Sequence, residues 1–130
     1  VIGGAVMAVF WGECHLDRAI ECALAIRDAI GKLPVEEGSD HYRPKVSIGV
    51  NSGEMVSGNI GSASLRRLDY TVIGDTVNIA ARLQDKAAPN QILITESCYQ
   101  SVKESFNFKE LGEFLLKNKT EKSRVYEVLE

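Results

Sequence analysis

Long apolar runs are scarce in this 130-residue chain, and the longest, Ala5 to Trp11, falls well short of the ~20 residues a membrane helix requires. It has neither a basic leader nor a small-residue cleavage site, so it is not a secretory signal either. Cysteine is sparse and odd in number: Cys14, Cys22 and Cys98 have no C-x-x-C spacing, which suits free thiols in a reducing compartment better than a disulfide framework. The chain therefore reads as cytoplasmic, or as the cytosolic part of a larger protein. Positive charge is not in excess, since 15 Lys and Arg face 18 Asp and Glu for a net charge of -3. Nothing in that balance draws the chain to nucleic acid or to an anionic membrane. Neither a G-x-S-x-G nucleophile turn nor a G-x-x-x-x-G-K-[ST] phosphate loop occurs. The two histidines, His15 and His41, have no metal-ligand partner at useful spacing. Cys14 and His15 are adjacent, so their side chains diverge, and the pair reads as an ordinary helix entrance.

What is present is ordinary globular composition, 45% hydrophobic and 25% charged, with a mean hydropathy of -0.08. That excludes disorder, and the length allows a single domain spanning residues 1–130. Val6 to Phe10 is a nearly continuous apolar run between glycines, the pattern of a strand buried on both faces. Leu16, Ala19, Ile20, Ala23, Leu24 and Ile26 or Ile30 recur at three and four, which predicts an amphipathic helix over His15 to Ile30 ending at Gly31. A polar loop spans Leu33 to Arg43, and strands are expected over Lys45 to Val50, Glu54 to Ile60 and Tyr70 to Ile73. Asp75 is a good N-cap for a helix running to Lys86, with Pro89-Asn90 as its stop. Gln91 to Thr95 reads as a strand and Glu96 to Lys103 as a short helix. Phe106 to Leu116 and Arg124 to Leu129 read as a closing antiparallel pair around Asn118-Lys119-Thr120. Many direct strand-to-strand turns with interspersed helices argue for α+β with a mostly antiparallel sheet.

The most informative stretch is Gly58 to Leu83, GNIGSASLRRLDYTVIGDTVNIAARL. Asn78 and Arg82 are four apart, so a helix puts them on one face, and that face begins beside the expected Gly74-Asp75 turn. An amide that donates and accepts, next to a guanidinium with forked charged donors, suits a ribose oxygen and a phosphate. Spacing alone equally describes a solvated helix face.

IGGAVMAVF at 2–10, HLDRAIECALAIRDAI at 15–30, VSIGVNSGEMVSGNIGS at 46–62, RRLDYTVIGDTVNIAARL at 66–83 and QILITESCYQSV at 91–102 occur in the order of one family. Over nearly its whole length the chain resembles the class III adenylate/guanylate cyclase catalytic domain. The resemblance implies a ferredoxin-like core, a mostly antiparallel sheet with helices on one face, here lacking its opening strand and first helices. It also implies head-to-tail homodimers or heterodimers with active sites at the interface. The reaction implied is that of a phosphorus-oxygen lyase, conversion of ATP or GTP to a 3′,5′-cyclic monophosphate and pyrophosphate in intracellular signalling. Carried over by motif, Asn78 matches the asparagine that orients the ribose, and Arg82 the arginine that stabilises charge on the transferred phosphoryl group. Thr71 falls at the purine-reading position, where threonine is associated with ATP. Arg66, beside Arg67, matches a phosphate-contacting arginine from the opposite subunit, and Lys119 or Lys117 the triphosphate-binding lysine. Without the resemblance, each of these would be a solvated polar residue.

The family binds Mg²⁺ or Mn²⁺ through two aspartates, and this sequence shows neither. The first belongs to a segment upstream of Val1, and the second follows the glycine of an I-G-D turn, a position occupied here by Gly4 in Ile2-Gly3-Gly4. The purine-reading lysine, which sits just before the residues matching Val1-Ile2, is also missing. Val1 opens without a starting Met, so the natural chain is expected to begin further upstream. Three readings follow: an altered or partial form of an active homodimeric cyclase, the non-metal half of a heterodimer, or a cyclase-like nucleotide-binding or dimerisation module without catalysis. The isolated chain is expected to be inactive under all three. A diguanylate cyclase is suggested by Gly3-Gly4 but excluded because Ala5-Val6 do not supply its acidic pair.

Overall fold

The fold was obtained as a computed structural model, which describes residues 4–34, 44–53, 63–116 and 121–130, with side chains of the long central helix described from Asp75 onward. The elements in order are α1 (His15–Gly31), β1 (Ile48–Val50), α2 (Ala63–Lys86), β2 (Ile92–Thr95), α3 (Glu96–Val102), β3 (Phe108–Leu115) and β4 (Lys122–Val128). Among the described residues, four strands form one sheet in the order β1-β2-β4-β3, with β1 and β2 parallel and the other two pairings antiparallel. The class is thus α+β with a mostly antiparallel sheet, as the sequence implies.

The centre of the sheet is β2, whose four residues are all buried. Alternation along it separates two cores. Ile92 and Ile94 join Val50, Tyr126 and Val128 against Leu16, Ile20 and Ala23 of α1 and Cys98 and Val102 of α3. The helical layer on that face is therefore α1 with α3. Leu93 and Val125 have the opposite parity and pack with Ile79 and Leu83 of α2 and with Leu116. Close approach of α2 depends on Gly49: a Cβ there would overlap the Ala80 carbonyl oxygen and lie 2.6 Å from the Gln84 backbone nitrogen.

Local chemistry sets the boundaries. Thr95 takes extended geometry before α3, and its hydroxyl accepts from the Cys98 backbone N–H at 3.4 Å, an N-cap. The N-cap of α1 is Cys14, at φ 57° with no side-chain cap bond. Arg18 reaches back instead, donating to the carbonyls of Trp11 and Glu13. Between Glu110 and Gly112 the β3–β4 register shifts by one residue, and Gly112 accommodates the bulge at φ 102°.

Two expectations fail. Val6 to Phe10 is not a buried strand: residues 4–11 are outside any element, and Val6 is 97% exposed and Trp11 74%. Among the described residues no strand pairs with this segment, and apolar β-propensity alone does not hold an extended chain in place. Tyr70 to Ile73 is not a strand either, and Asp75 is not a cap: both lie inside α2, as does the expected Gly74-Asp75 turn. The short run TVI is equally compatible with a helix, and Leu65, Leu68, Val72 and Ile79 continue at helical spacing into Leu83. The strand expected at Glu54 to Ile60, most of the polar loop before Lys45 and the turn at Asn118-Lys119-Thr120 lie outside the described residues.

Candidate functional site

With Ile79 and Leu83 turned into the core, the helical period leaves Asn78 and Arg82 on the outer side of α2, and both are exposed. Arg82 does not simply project into solvent. Its Nη1 donates to the carbonyl of Leu116, the buried residue that follows β3. This fastens the guanidinium to the end of β3, close in sequence to Lys117 and Lys119. Arg66 and Thr71 belong to the backbone of α2, and their side chains, with Lys117 and Lys119 entirely, lie outside the described residues. Of the predicted set, the structure thus brings Arg82 to the β3 terminus and leaves Asn78 one turn earlier on the same helix.

A second feature was not foreseen from the sequence. A cleft of about 720 Å³ opens where β1, α2, α3 and β4 meet, bounded by Asn51 to Gly53, Asp75-Thr76, Thr95 to Ser97 and Lys122 to Arg124. Its floor is a hydrogen-bonded network centred on Asn51. The Asn51 amide donates to the Thr76 carbonyl at 3.2 Å, and its oxygen accepts from the Thr95 hydroxyl at 3.3 Å and from the Cys98 thiol at 3.8 Å. Beside it, Ser52 Oγ lies 2.7 Å from His15 Nε2, while His15 Nδ1 is 3.2 Å from the Gly12 carbonyl, where it can only donate. Burial pushes the Cys98 thiol up, against the opposing hydrogen bonds from Thr95 and the Ser52 backbone. Cys98 packs in the core beside Ile94 and Val102.

On the rim, Arg124 lies 3.5 Å from Glu96 and 3.8 Å from Glu110. Glu110 first, then Glu96, raises the Arg124 guanidinium further above its ordinary range. These partners are half exposed, so the network orients side chains more than it stabilises the fold. The cleft-lining part of α2 is Asp75, Thr76 and Ile79; Asn78 and Arg82 are not among its walls. No signal in the sequence pointed to this cleft, because it is assembled from isolated polar residues on four separate elements.

Divalent ions need a set of oxygen donors. Among the described residues no group of three or more His, Cys, Asp or Glu converges, and the exposed Gly4 presents no side chain. The described residues do not fit a two-ion centre.

The described fold is an α+β sheet closed by an antiparallel pair, with Asn78 and Arg82 carried on α2. Residues 1–129 match the adenylate and guanylate cyclase catalytic domain, and the chain belongs to that family. It is 35% identical to an adenylate cyclase of Anabaena cylindrica over 98% of its own length and 27% of that protein. The adenylyl cyclase CyaB from P. aeruginosa superposes with a TM-score of 0.71 at 26% identity, covering 89% of this chain and 59% of that one. A non-canonical dimeric guanylyl cyclase domain from the aquatic fungus Blastocladiella emersonii gives a TM-score of 0.68 at 26% identity, covering 91% and 60%. The chain therefore spans about a quarter of the Anabaena relative and three fifths of these two solved domains. Among the described residues no helix is long and apolar enough to cross a membrane.

Proposed function

We propose that this chain is the transition-state half of a class III adenylate cyclase, acting on ATP as part of a homodimer or heterodimer with another cyclase domain. The reaction forms a bond from the ribose 3′-oxygen to the α-phosphorus and breaks the bond from that phosphorus to the bridging oxygen. The 3′-hydroxyl proton passes to solvent water, and 3′,5′-cyclic AMP and pyrophosphate are released. Asn78 holds the ribose so that the 3′-oxygen faces phosphorus, which removes a rotational search before the step. Arg82 places a permanent charge where the phosphoryl oxygens gain negative charge. Arg66 and Lys119 bind phosphate oxygens, and Thr71 reads the adenine edge.

The observation that carries this reading is the exposed pair on α2, with Asn78 and Arg82 turned away from the core and Arg82 held at the Leu116 carbonyl. Exposure suits residues that complete a site against an opposing domain. Gly4 favours a second reading, a cyclase-like module that binds nucleotide or a partner and regulates without catalysis.

The test is complementation with a complete version of the same domain that carries Asp at the Gly4 position and Ala at the Arg82 position. Cyclic AMP and cyclic GMP are assayed with Mn²⁺. Neither component is expected to work alone; the mixture is expected to make cyclic AMP. Cyclic GMP as the main product overturns the assignment of Thr71. A silent heterodimer of demonstrated mass supports the regulatory reading instead.

A further inference from the structure

From Gly49 to Gly53 successive residues touch two helices in alternation. Val50 packs in the core with α1, and Ser52 Oγ lies 2.7 Å from His15 Nε2. Gly49, Asn51 and Gly53 have the other parity, and all three meet α2. A Cβ on Gly49 would lie 2.6 Å from the Gln84 backbone nitrogen and 2.8 Å from Leu83 Cβ, and one on Gly53 would lie 2.6 Å from Thr76 Oγ1. Between the two glycines the Asn51 amide donates to the Thr76 carbonyl at 3.2 Å.

These contacts differ in kind. Glycine lets backbone approach backbone, but van der Waals contact does not set how far a helix turns about its axis. A hydrogen bond is directional, and that of Asn51 reaches the helix two residues before Asn78. A carbonyl can only accept, so the Thr76 contact fixes which end of the Asn51 amide is the nitrogen. The other end is held as well, accepting from the Thr95 hydroxyl at 3.3 Å and the Cys98 thiol at 3.8 Å. Asn51 thus ties α2 to the junction of β2 and α3, while Arg82 ties the outer side of the same helix to Leu116.

We propose that Asn51 is a positioning residue for the Asn78–Arg82 pair: it sets the rotation of α2 about its axis, and with it the point where the amide and the guanidinium meet the nucleotide. Its catalytic consequence rests on the cyclase reading; its geometry does not. At the outer radius of a helix, about 5–6 Å, a turn of about 10° moves a group by about 1 Å. Misplacement of that order costs up to about 10²-fold in rate. On the cyclase reading Asn78 and Arg82 act mainly in the transition state, so loss of their placement lowers kcat and kcat/KM together and leaves KM unchanged.

Asn51→Asp keeps the acceptor for Thr95 and Cys98 and removes only the donor to Thr76, whereas Asn51→Ala removes both and introduces no charge. Val102→Ala is the control, because it weakens the core shared by α1 and α3 without touching α2. Each variant of this chain is read twice: by the nitrogen resonances of the Asn78 amide and the Arg82 guanidinium in the free chain, and by the kinetics of the complementation mixture described above. Both Asn51 variants are expected to shift those resonances and to lower kcat by about 10- to 100-fold, with KM and heterodimer mass unchanged. Val102→Ala is expected to lower the urea midpoint and to leave the resonances and kcat as in the parent. Unshifted resonances in a folded Asn51 variant overturn the proposal. So does an active parent mixture whose kcat the Asn51 variants match, or a Val102→Ala chain that loses kcat as they do. A silent parent mixture refutes the cyclase reading instead, and the resonances still test whether Asn51 sets the helix.

Discussion

Replacing Gly49 by alanine tests how α2 is seated, and with it the placement of Asn78 and Arg82. The added Cβ meets backbone, the Ala80 carbonyl oxygen and the Gln84 nitrogen at 2.6 Å, together with Leu83 Cβ at 2.8 Å. Backbone atoms within a helix cannot rotate away, so α2 must shift as a body or the strand must bend. Overpacking of this kind costs about 3 kcal/mol. For a chain of 130 residues the unfolding entropy near Tm is about 0.27 kcal/mol/K, so the expected fall in Tm is about 11 °C. Gly31→Ala is the matched control, because nothing lies within 4 Å of its Cβ. Alanine there is expected to be neutral or to stabilise by up to about 0.5 kcal/mol through helix propensity. Thermal unfolding by circular dichroism measures both. A Gly49→Ala variant melting within about 2 °C of the parent, a change of about 0.5 kcal/mol, would refute the close approach of α2 to β1.

Thr95→Ala removes the cap of α3 and the donor to Asn51, so stability is expected to fall by about 1–2 kcal/mol in urea titration, with an unchanged m-value. Thr95→Ser is expected to recover most of it. The raised Cys98 thiol gives a pH dependence of definite sign. Above the ordinary thiol value of 9.0 the unfolded chain loses a proton that the folded chain retains, so this contribution is complete below that pH and is lost as pH rises. The slope is bounded at about 1.4 kcal/mol per pH unit. Comparing urea midpoints at pH 7 and above pH 9 for the parent and Cys98→Ala tests it, with a shallower decline expected in the variant. Cys14 is exposed and Cys98 buried, so thiol reagents are expected to modify Cys14 in the folded chain and Cys98 only on unfolding.

Much of the architecture is legible in the sequence because periodicity and burial agree there. The three-and-four spacing from Leu16 to Ile30 matches α1, the strand read over Gln91 to Thr95 contains β2, and the short helix read over Glu96 to Lys103 contains α3. The failures share one cause. Val6 to Phe10 and Tyr70 to Ile73 are short apolar runs whose conformation depends on a partner, and periodicity over four or five residues does not say whether one is present. The cleft around Asn51 was not legible, since Asn51, Thr76, Thr95 and Arg124 share no local pattern and meet only through the sheet. Asn78 and Arg82 could be placed on one helix face from spacing, but their chemical meaning came from the resemblance to the cyclases.

Arg82 is where the functional account is most exposed to refutation. In the complementation mixture described above, this chain supplies the only copy of that arginine. Substituting it by alanine here as well should therefore cut cyclic AMP formation by about 10²–10³-fold, as loss of a transition-state donor does, while the heterodimer mass stays unchanged. The decisive quantity is the rate of cyclic AMP formation by the mixture with and without Arg82. A parent mixture that turns over, and collapses on Arg82→Ala, is the result this account predicts. A parent heterodimer that turns over equally well without Arg82 would contradict it.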